Sequence, residues 1–244
     1  MMKTRTTAVL LLSHGSRDPR TAQVVTRLVW ALAAATGMTV RPAYLDFAEP
    51  DAASALRQLA ADGFSSVRVV PLLFTAGYHL THDVPRVVAA SGVTERMAVS
   101  VAPPLLAGGP RRQGLLMMAM ADRLVQAGSD GDVDGLVLAS AGSSSPQARQ
   151  AIETFARDLE RSHGIPVEPA FASGGTRSPT QALEALAGRG TRRPAVASLF
   201  VAPGRLSDSV IAACPDVPVA EPLGVSAPFV ELLVAQTRAL TLTV

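Results

Sequence analysis

The feature that most restricts the fold of this chain is that its pattern is written twice. At an offset of 127 residues Leu11, Ser13, Gly15, Ser16, Pro19 and Gln23 fall on Leu138, Ser140, Gly142, Ser143, Pro146 and Gln150. At the same offset Gly37, Val40, Pro42, Ala43, Tyr44 and Leu56 fall on Gly164, Val167, Pro169, Ala170, Phe171 and Leu183. At an offset of 126, Phe74, Ala76, Leu80 and Val84 fall on Phe200, Ala202, Leu206 and Val210. Three ordered blocks at nearly one offset predict two similar units. The expected domains are residues 1–128 and 134–244. The connector falls within Ala127–Gly135, where Gly and Asp cluster and no apolar period survives.

Within each unit, short apolar runs alternate with helix-length segments. The first set of runs is AVLLL, RPAYLDF, VRVVPLLF and MAVSVAPPL, and the second is GLVLAS, VEPAFAS, AVASLFVA and VPVAEPL. Helical patterns lie at Thr21–Thr36, Ala52–Ala61, Arg112–Gln126, Gln147–Ser162 and Ala227–Leu240. Continuous apolar strands separated by helices indicate parallel sheets covered on both faces. The expected fold class is therefore α/β: two similar doubly wound parallel-sheet units with a cleft between them. In such sheets the loops at the carboxyl ends of the strands are available for chemistry.

Composition removes several functions. The 244 residues carry 22 Lys+Arg against 20 Asp+Glu, a net charge of +2, with 4% aromatics. Neither value gives an electrostatic footprint or stacking platform for nucleic acid. The single cysteine, Cys214, excludes an intramolecular disulfide framework and an all-cysteine metal site. The start MMKTRTTAVLLLSHG places Lys3 and Arg5 before an apolar run, but that run ends at Ser13. It is shorter than the ~7–15 residues of a secretory core and the ~18 of a membrane span. A first strand and a cytoplasmic protein are expected. No G-x-x-x-x-G-K-[ST] loop, G-x-G-x-x-G fingerprint, G-x-S-x-G elbow or H-E-x-x-H motif occurs. A phosphate-binding α/β protein is disfavoured on that ground.

The repeat also shows where the two halves differ. His14, Asp46 and His79 of the first half face Ala141, Ser173 and Arg205 of the second. All three lie at or just past the end of an expected strand, and all three are absent from the copy. Since the fold does not require them, function is the better explanation. Neutral imidazole binds divalent Fe, Co, Ni, Cu and Zn, and it also accepts protons. Two imidazoles and a carboxylate make an open N/O site without thiolates, suited to releasing its metal. His82, three residues after His79, is an alternative ligand on the same helix face. His163, before Gly164, reads as a helix C-terminal cap.

Taken in order, LLLSHGSRDPR, AYLDFAEPD and VVPLLFTAGYHLTHDVP resemble the three signatures of the class II chelatases. The match is to the two-domain sirohydrochlorin chelatases, the ferrochelatase and cobaltochelatase branch serving sirohaem and cobalamin synthesis. ASAGSSSP and SLFVAPGRL extend the resemblance into the second half. It implies an enzyme that inserts a divalent metal, Fe²⁺ or Co²⁺, into sirohydrochlorin without ATP or an organic cofactor. By position, His14 and His79 would be metal ligands and catalytic, and the spacing Gly77, His79, Asp83, Pro85 selects His79 over His82. Asp46 would be the carboxylate ligand, although the family's usual residue there is glutamate. Glu49 is its possible substitute.

The substrate implied is a tetrapyrrole with eight carboxylates, which calls for cations. Arg17, Arg20, Arg86 and Arg205 are the candidates. Ser13, Ser16, Arg17 and Arg205 are the expected substrate contacts, with no nucleic-acid or membrane partner. Insertion displaces two pyrrole protons, which imidazole, titrating near ~6.5 when unperturbed, can accept. Non-catalytic metallochaperones and tetrapyrrole carriers share these features. A monomer and a homodimer both remain open.

Overall fold

The computed structural model describes residues 7–129, 132–174, 176–238 and 242–243. Lys3 and Arg5, Asp130 and Gly131 of the expected connector, and the expected end of the last helix at Leu240 lie outside the described residues. The first half runs β1 (Thr7–Ser13), α1 (Pro19–Thr36), β2 (Val40–Tyr44), α2 (Ala52–Ala61) and β3 (Ser66–Pro71). A single π-helical turn, His79–Asp83, then leads into α3 (Val84–Ser91), β4 (Ala98–Val101) and α4 (Gly109–Gln126). The second half runs β5 (Gly135–Ser140), α5 (Pro146–His163), β6 (Val167–Phe171), α6 (Pro179–Gly188) and β7 (Pro194–Leu199). It ends with α7 (Arg205–Ala213), α8 (Ala227–Arg238) and β8 (Leu242–Thr243).

The repeat persists into the caps and the register. Asp18 and Ser145 cap α1 and α5, which end at Gly37 and Gly164, both in the left-handed conformation. Val25, Leu28, Val29 and Leu32 of α1 are buried, as are Ile152, Phe155, Ala156 and Leu159 of α5. Each set follows the i, i+3, i+4, i+7 rule of a one-faced helix. Leu12 pairs with Ala43 and Pro71, and Ala139 pairs with Ala170 and Ser198, all in parallel. The strand orders are β2-β1-β3-β4-β8 and β6-β5-β7. Both are the doubly wound arrangement in which the strand order reverses between the first and third strands of a unit, where ligands of such sheets bind.

Three expectations change. The edge strand β8 is antiparallel to β4, so the first sheet is parallel only through β4. The run VPVAEPL forms no full strand and leaves one parallel bridge, Val219 to Val196. Pro218 and Pro222 carry no N–H, which limits the ladder there. Packing also divides the chain elsewhere than the repeat does. One compact unit is Met1–Arg112 with Val230–Val244, and the other is Gln113–Phe229. Thus α4 and α8 carry the crossings, and α8 belongs mostly to the first unit. There Gln236 donates to the carbonyls of Pro103 and Pro104, and Arg68 donates to that of Thr237. Among the described residues no helix is long and apolar enough to cross a membrane.

Candidate metal centre

His14 follows β1 and His79 follows β3, the two strands flanking the reversal point of the first sheet. The structure brings their rings together, with centroids 4.4 Å apart and planes at 77°. With metal–imidazole bonds of about 2.0–2.1 Å, rings at this separation are close enough for one ion to bridge them when both Nε2 atoms face it.

The second nitrogen of each ring defines what the first can do. His14 Nδ1 lies 3.1 Å from the carbonyl oxygen of Gly15. A carbonyl only accepts, so Nδ1–H donates and the Nε2 lone pair is free. His79 Nδ1 lies 2.7 Å from Asp83 Oδ2, which fixes the same tautomer. Such carboxylate–imidazole pairing orients a ligand and fixes its tautomer. Asp83 is held in turn by Arg86, at 3.0 Å. The orienting role of Asp83 was not read from the sequence, although the i, i+4 spacing from His79 was available as a signal.

The π-helical turn sets where His79 points. His79 opens it, and the N–H of Val84 reaches back to the His79 carbonyl. Single π turns of this kind are frequent at functional sites. In the second unit Arg205 opens α7, the equivalent place, and is exposed.

The loops after β1 and β2 are locked together. Gly15 has φ +94°, and a Cβ there would lie 1.8 Å from the Asp46 carbonyl oxygen. Asp46 N–H donates to His14 O at 2.9 Å, and Leu45 N–H donates to Ser13 O at 3.0 Å. The second unit repeats this: Gly142 has φ +93°, and its Cβ would lie 1.6 Å from Ser173 O. Ser173 N–H donates to Ala141 O at 3.0 Å, and Ala172 N–H donates to Ser140 O at 2.8 Å. The backbone cradle is thus common to both units, whereas the imidazoles are not.

Other expected residues are used differently. Among the described residues no group of three or more His, Cys, Asp or Glu side chains is placed to hold a metal ion. The expected set of two imidazoles and Asp46 is therefore not assembled. Asp46 is exposed and its Oδ1 accepts the N–H of Phe47 at 2.9 Å. This aspartate is turned along its own chain, with one methylene less reach than a glutamate. Glu49 accepts the N–H of Asp51 at 3.0 Å. His82 stacks on Tyr78 with centroids 4.6 Å apart, and its Nδ1 lies 2.8 Å from Thr81 Oγ1. His163 Nδ1 lies 3.0 Å from Leu159 O, the capping role expected of it.

Ser13 and Ser16 accept the N–H groups of Gly15 (3.4 Å) and Asp18 (3.0 Å). Ser143 accepts that of Ser145 at 3.1 Å in the unit that lacks counterparts of His14 and His79, so the Ser16 bond is architectural. Arg20 is tied to Asp18 at 2.6 Å, whereas the Arg17 guanidinium lies over the Phe47 ring, 5.3 Å from its centroid.

The CbiX family model matches residues 8–109 and 135–240. A sirohydrochlorin cobaltochelatase of Saccharolobus islandicus is 36% identical over 84 residues, 34% of this chain and 65% of that protein. The chain thus spans just under two thirds of the length of this curated relative. The structure of SirB from Bacillus subtilis with Fe³⁺ matches with a TM-score of 0.77 at 19% identity, covering 96% of this chain and 94% of that one. That of CbiX, described as the terminal enzyme for biosynthesis of siroheme in denitrifying bacteria, matches with a TM-score of 0.69 at 19% identity, covering 96% and 99%. At these identities the structural likeness is one of fold.

Proposed function

The chain belongs to the CbiX family, and from that premise we propose that it is a sirohydrochlorin chelatase, inserting Fe²⁺ to give sirohaem without ATP. The observation that carries this reading is the pair of imidazoles, His14 and His79, with ring centroids 4.4 Å apart and each Nδ1 engaged so that Nε2 is free.

In this reading the metal ion is a substrate, held by His14 and His79. Neutral nitrogen ligands without thiolate bind a divalent ion firmly enough to capture it and loosely enough to give it up. As the macrocycle nitrogens replace the imidazoles, two pyrrole N–H bonds break and two protons leave. The vacated Nε2 atoms are bases within reach of them. Asp83 stabilises the His79 imidazolium that results. Arg17 pairs with a substrate carboxylate, and the proposed setting is the cytoplasm.

A second reading replaces Fe²⁺ with Co²⁺. The name of the Saccharolobus islandicus relative favours it, and N/O ligation serves either ion. The test is anaerobic incubation of the protein with sirohydrochlorin and Fe²⁺, Co²⁺ or Ni²⁺, without ATP, followed by the absorbance of the macrocycle. Many turnovers per chain are expected with Fe²⁺ or Co²⁺. Binding that stops at one equivalent, with no free product, would mean a carrier.

A further inference from the structure

Among the described residues Phe47 is the one non-glycine residue with a positive φ, +60°. A bulky side chain in that region is strained. The residue is also 50% exposed. Two unfavourable features therefore meet at one residue.

The repeat supplies a control. Gly174, at the offset of 127, adopts φ +57° in the second unit. A Cβ on Gly174 would meet the Ser143 backbone at 3.8–4.0 Å, an ordinary contact, so crowding does not explain the glycine. The unit that lacks counterparts of His14 and His79 takes the unstrained residue. The unit with them keeps the strained, exposed aromatic one.

What surrounds Phe47 gives the reason. Its ring centroid lies 6.0 Å from that of His14, with planes tilted by 40°. The Arg17 guanidinium sits over it, 5.3 Å from the centroid. Asp46 Oδ1 accepts the Phe47 N–H at 2.9 Å, which helps hold the left-handed turn. An apolar ring carrying a cation, with the His14 ring 6.0 Å away, fits a flat conjugated molecule with carboxylates on its rim.

We propose that Phe47, braced by Asp46, is a substrate-binding shelf: it packs against the tetrapyrrole and aims Arg17 at a peripheral carboxylate. Asp46 is then a positioning residue rather than the third metal ligand. The inference rests on the chelatase reading.

Phe47→Gly installs the residue of the second unit, and Phe47→Tyr keeps an aromatic ring. Five quantities are measured: KM and kcat for sirohydrochlorin, equilibrium binding of metal-free sirohydrochlorin by its own fluorescence, Co²⁺ affinity without macrocycle, and Tm. Phe47→Gly should weaken macrocycle binding and raise KM by about tenfold, the scale of one lost stacking contact. Its Co²⁺ affinity should not move and its Tm should hold or rise, while Phe47→Tyr should restore KM. Asp46→Ala should weaken macrocycle binding like Phe47→Gly, and Asp46→Asn, which keeps an acceptor oxygen, should recover most of that loss. An unchanged KM and macrocycle affinity in Phe47→Gly, with wild-type turnover intact, overturns the shelf. Co²⁺ affinity lost equally in Asp46→Ala and Asp46→Asn overturns the brace and makes Asp46 a ligand. A wild-type chain that binds sirohydrochlorin through Phe47 but never inserts metal overturns the chelatase reading and leaves the shelf standing.

Discussion

His14 and His79 stand edge to face with ring centroids 4.4 Å apart, although one follows β1 and the other opens the turn after β3. Parallel pairing of those strands, Leu12 to Pro71, delivers both to the same end of the sheet. If this pair carries the metal, His14→Ala and His79→Ala should each slow insertion by at least ~10²-fold, the scale for a positioned acid–base group. Both variants should fold, since Ala141 and Arg205 occupy the equivalent places. His82→Ala should be much milder, because His82 is engaged with Tyr78 and Thr81. Anaerobic insertion rates alongside circular dichroism check all three.

Asp83 should matter through His79. Its carboxylate lies 2.7 Å from His79 Nδ1 and fixes the tautomer. Asp83→Asn should lower metal affinity by about 10–100-fold, the usual effect of losing a partner of a ligating imidazole. Arg86→Ala should have a small effect, because the Arg86 side of its ion pair with Asp83 is solvent-exposed. Co²⁺ titration of the two variants separates these outcomes.

The backbone cradle predicts a matched pair of folding defects. Gly15→Ala and Gly142→Ala place a Cβ 1.8 Å and 1.6 Å from a carbonyl oxygen, each at a positive φ. Each should cost about 3 kcal/mol or more, from backbone strain and overpacking together. Thermal unfolding of Gly142→Ala is the cleaner test, since that loop carries no imidazole.

A pH prediction attaches to α2. Asp51 caps this helix by accepting the Ser54 N–H at 3.0 Å. Hydrogen bonding from Ser54 holds its carboxyl below the usual carboxylate range. A lowered folded-state value contributes stability above the unfolded value of about 3.9, and that stability is lost as the pH falls through the folded one. Asp51→Ala should therefore cost about 1 kcal/mol at pH 7. The gap to wild type should close below about pH 4, as read by urea unfolding across pH.

The sequence carried the duplication well, because a repeat constrains caps, buried stripes and register together. Asp18 and Ser145 fall at equivalent caps, and Leu12 and Ala139 at equivalent register positions. The convergence of His14 and His79 was legible for the same reason: both end neighbouring parallel strands. The direction of Asp46 was not, since it depends on a left-handed turn at Phe47, where no glycine marks it. The exchange of α4 and α8 was hidden because an apolar helix stripe does not say which core receives it. The run VPVAEPL reads as a strand by apolarity, whereas its prolines leave it a single bridge.

The most direct measurement is X-ray absorption of Co²⁺ bound anaerobically to the wild-type chain and to the His14→Ala/His79→Ala double variant. One ion per chain with two imidazole nitrogens bound to it is expected, and no such site in the double variant. A first shell without imidazole, or an unchanged site in the double variant, would contradict it.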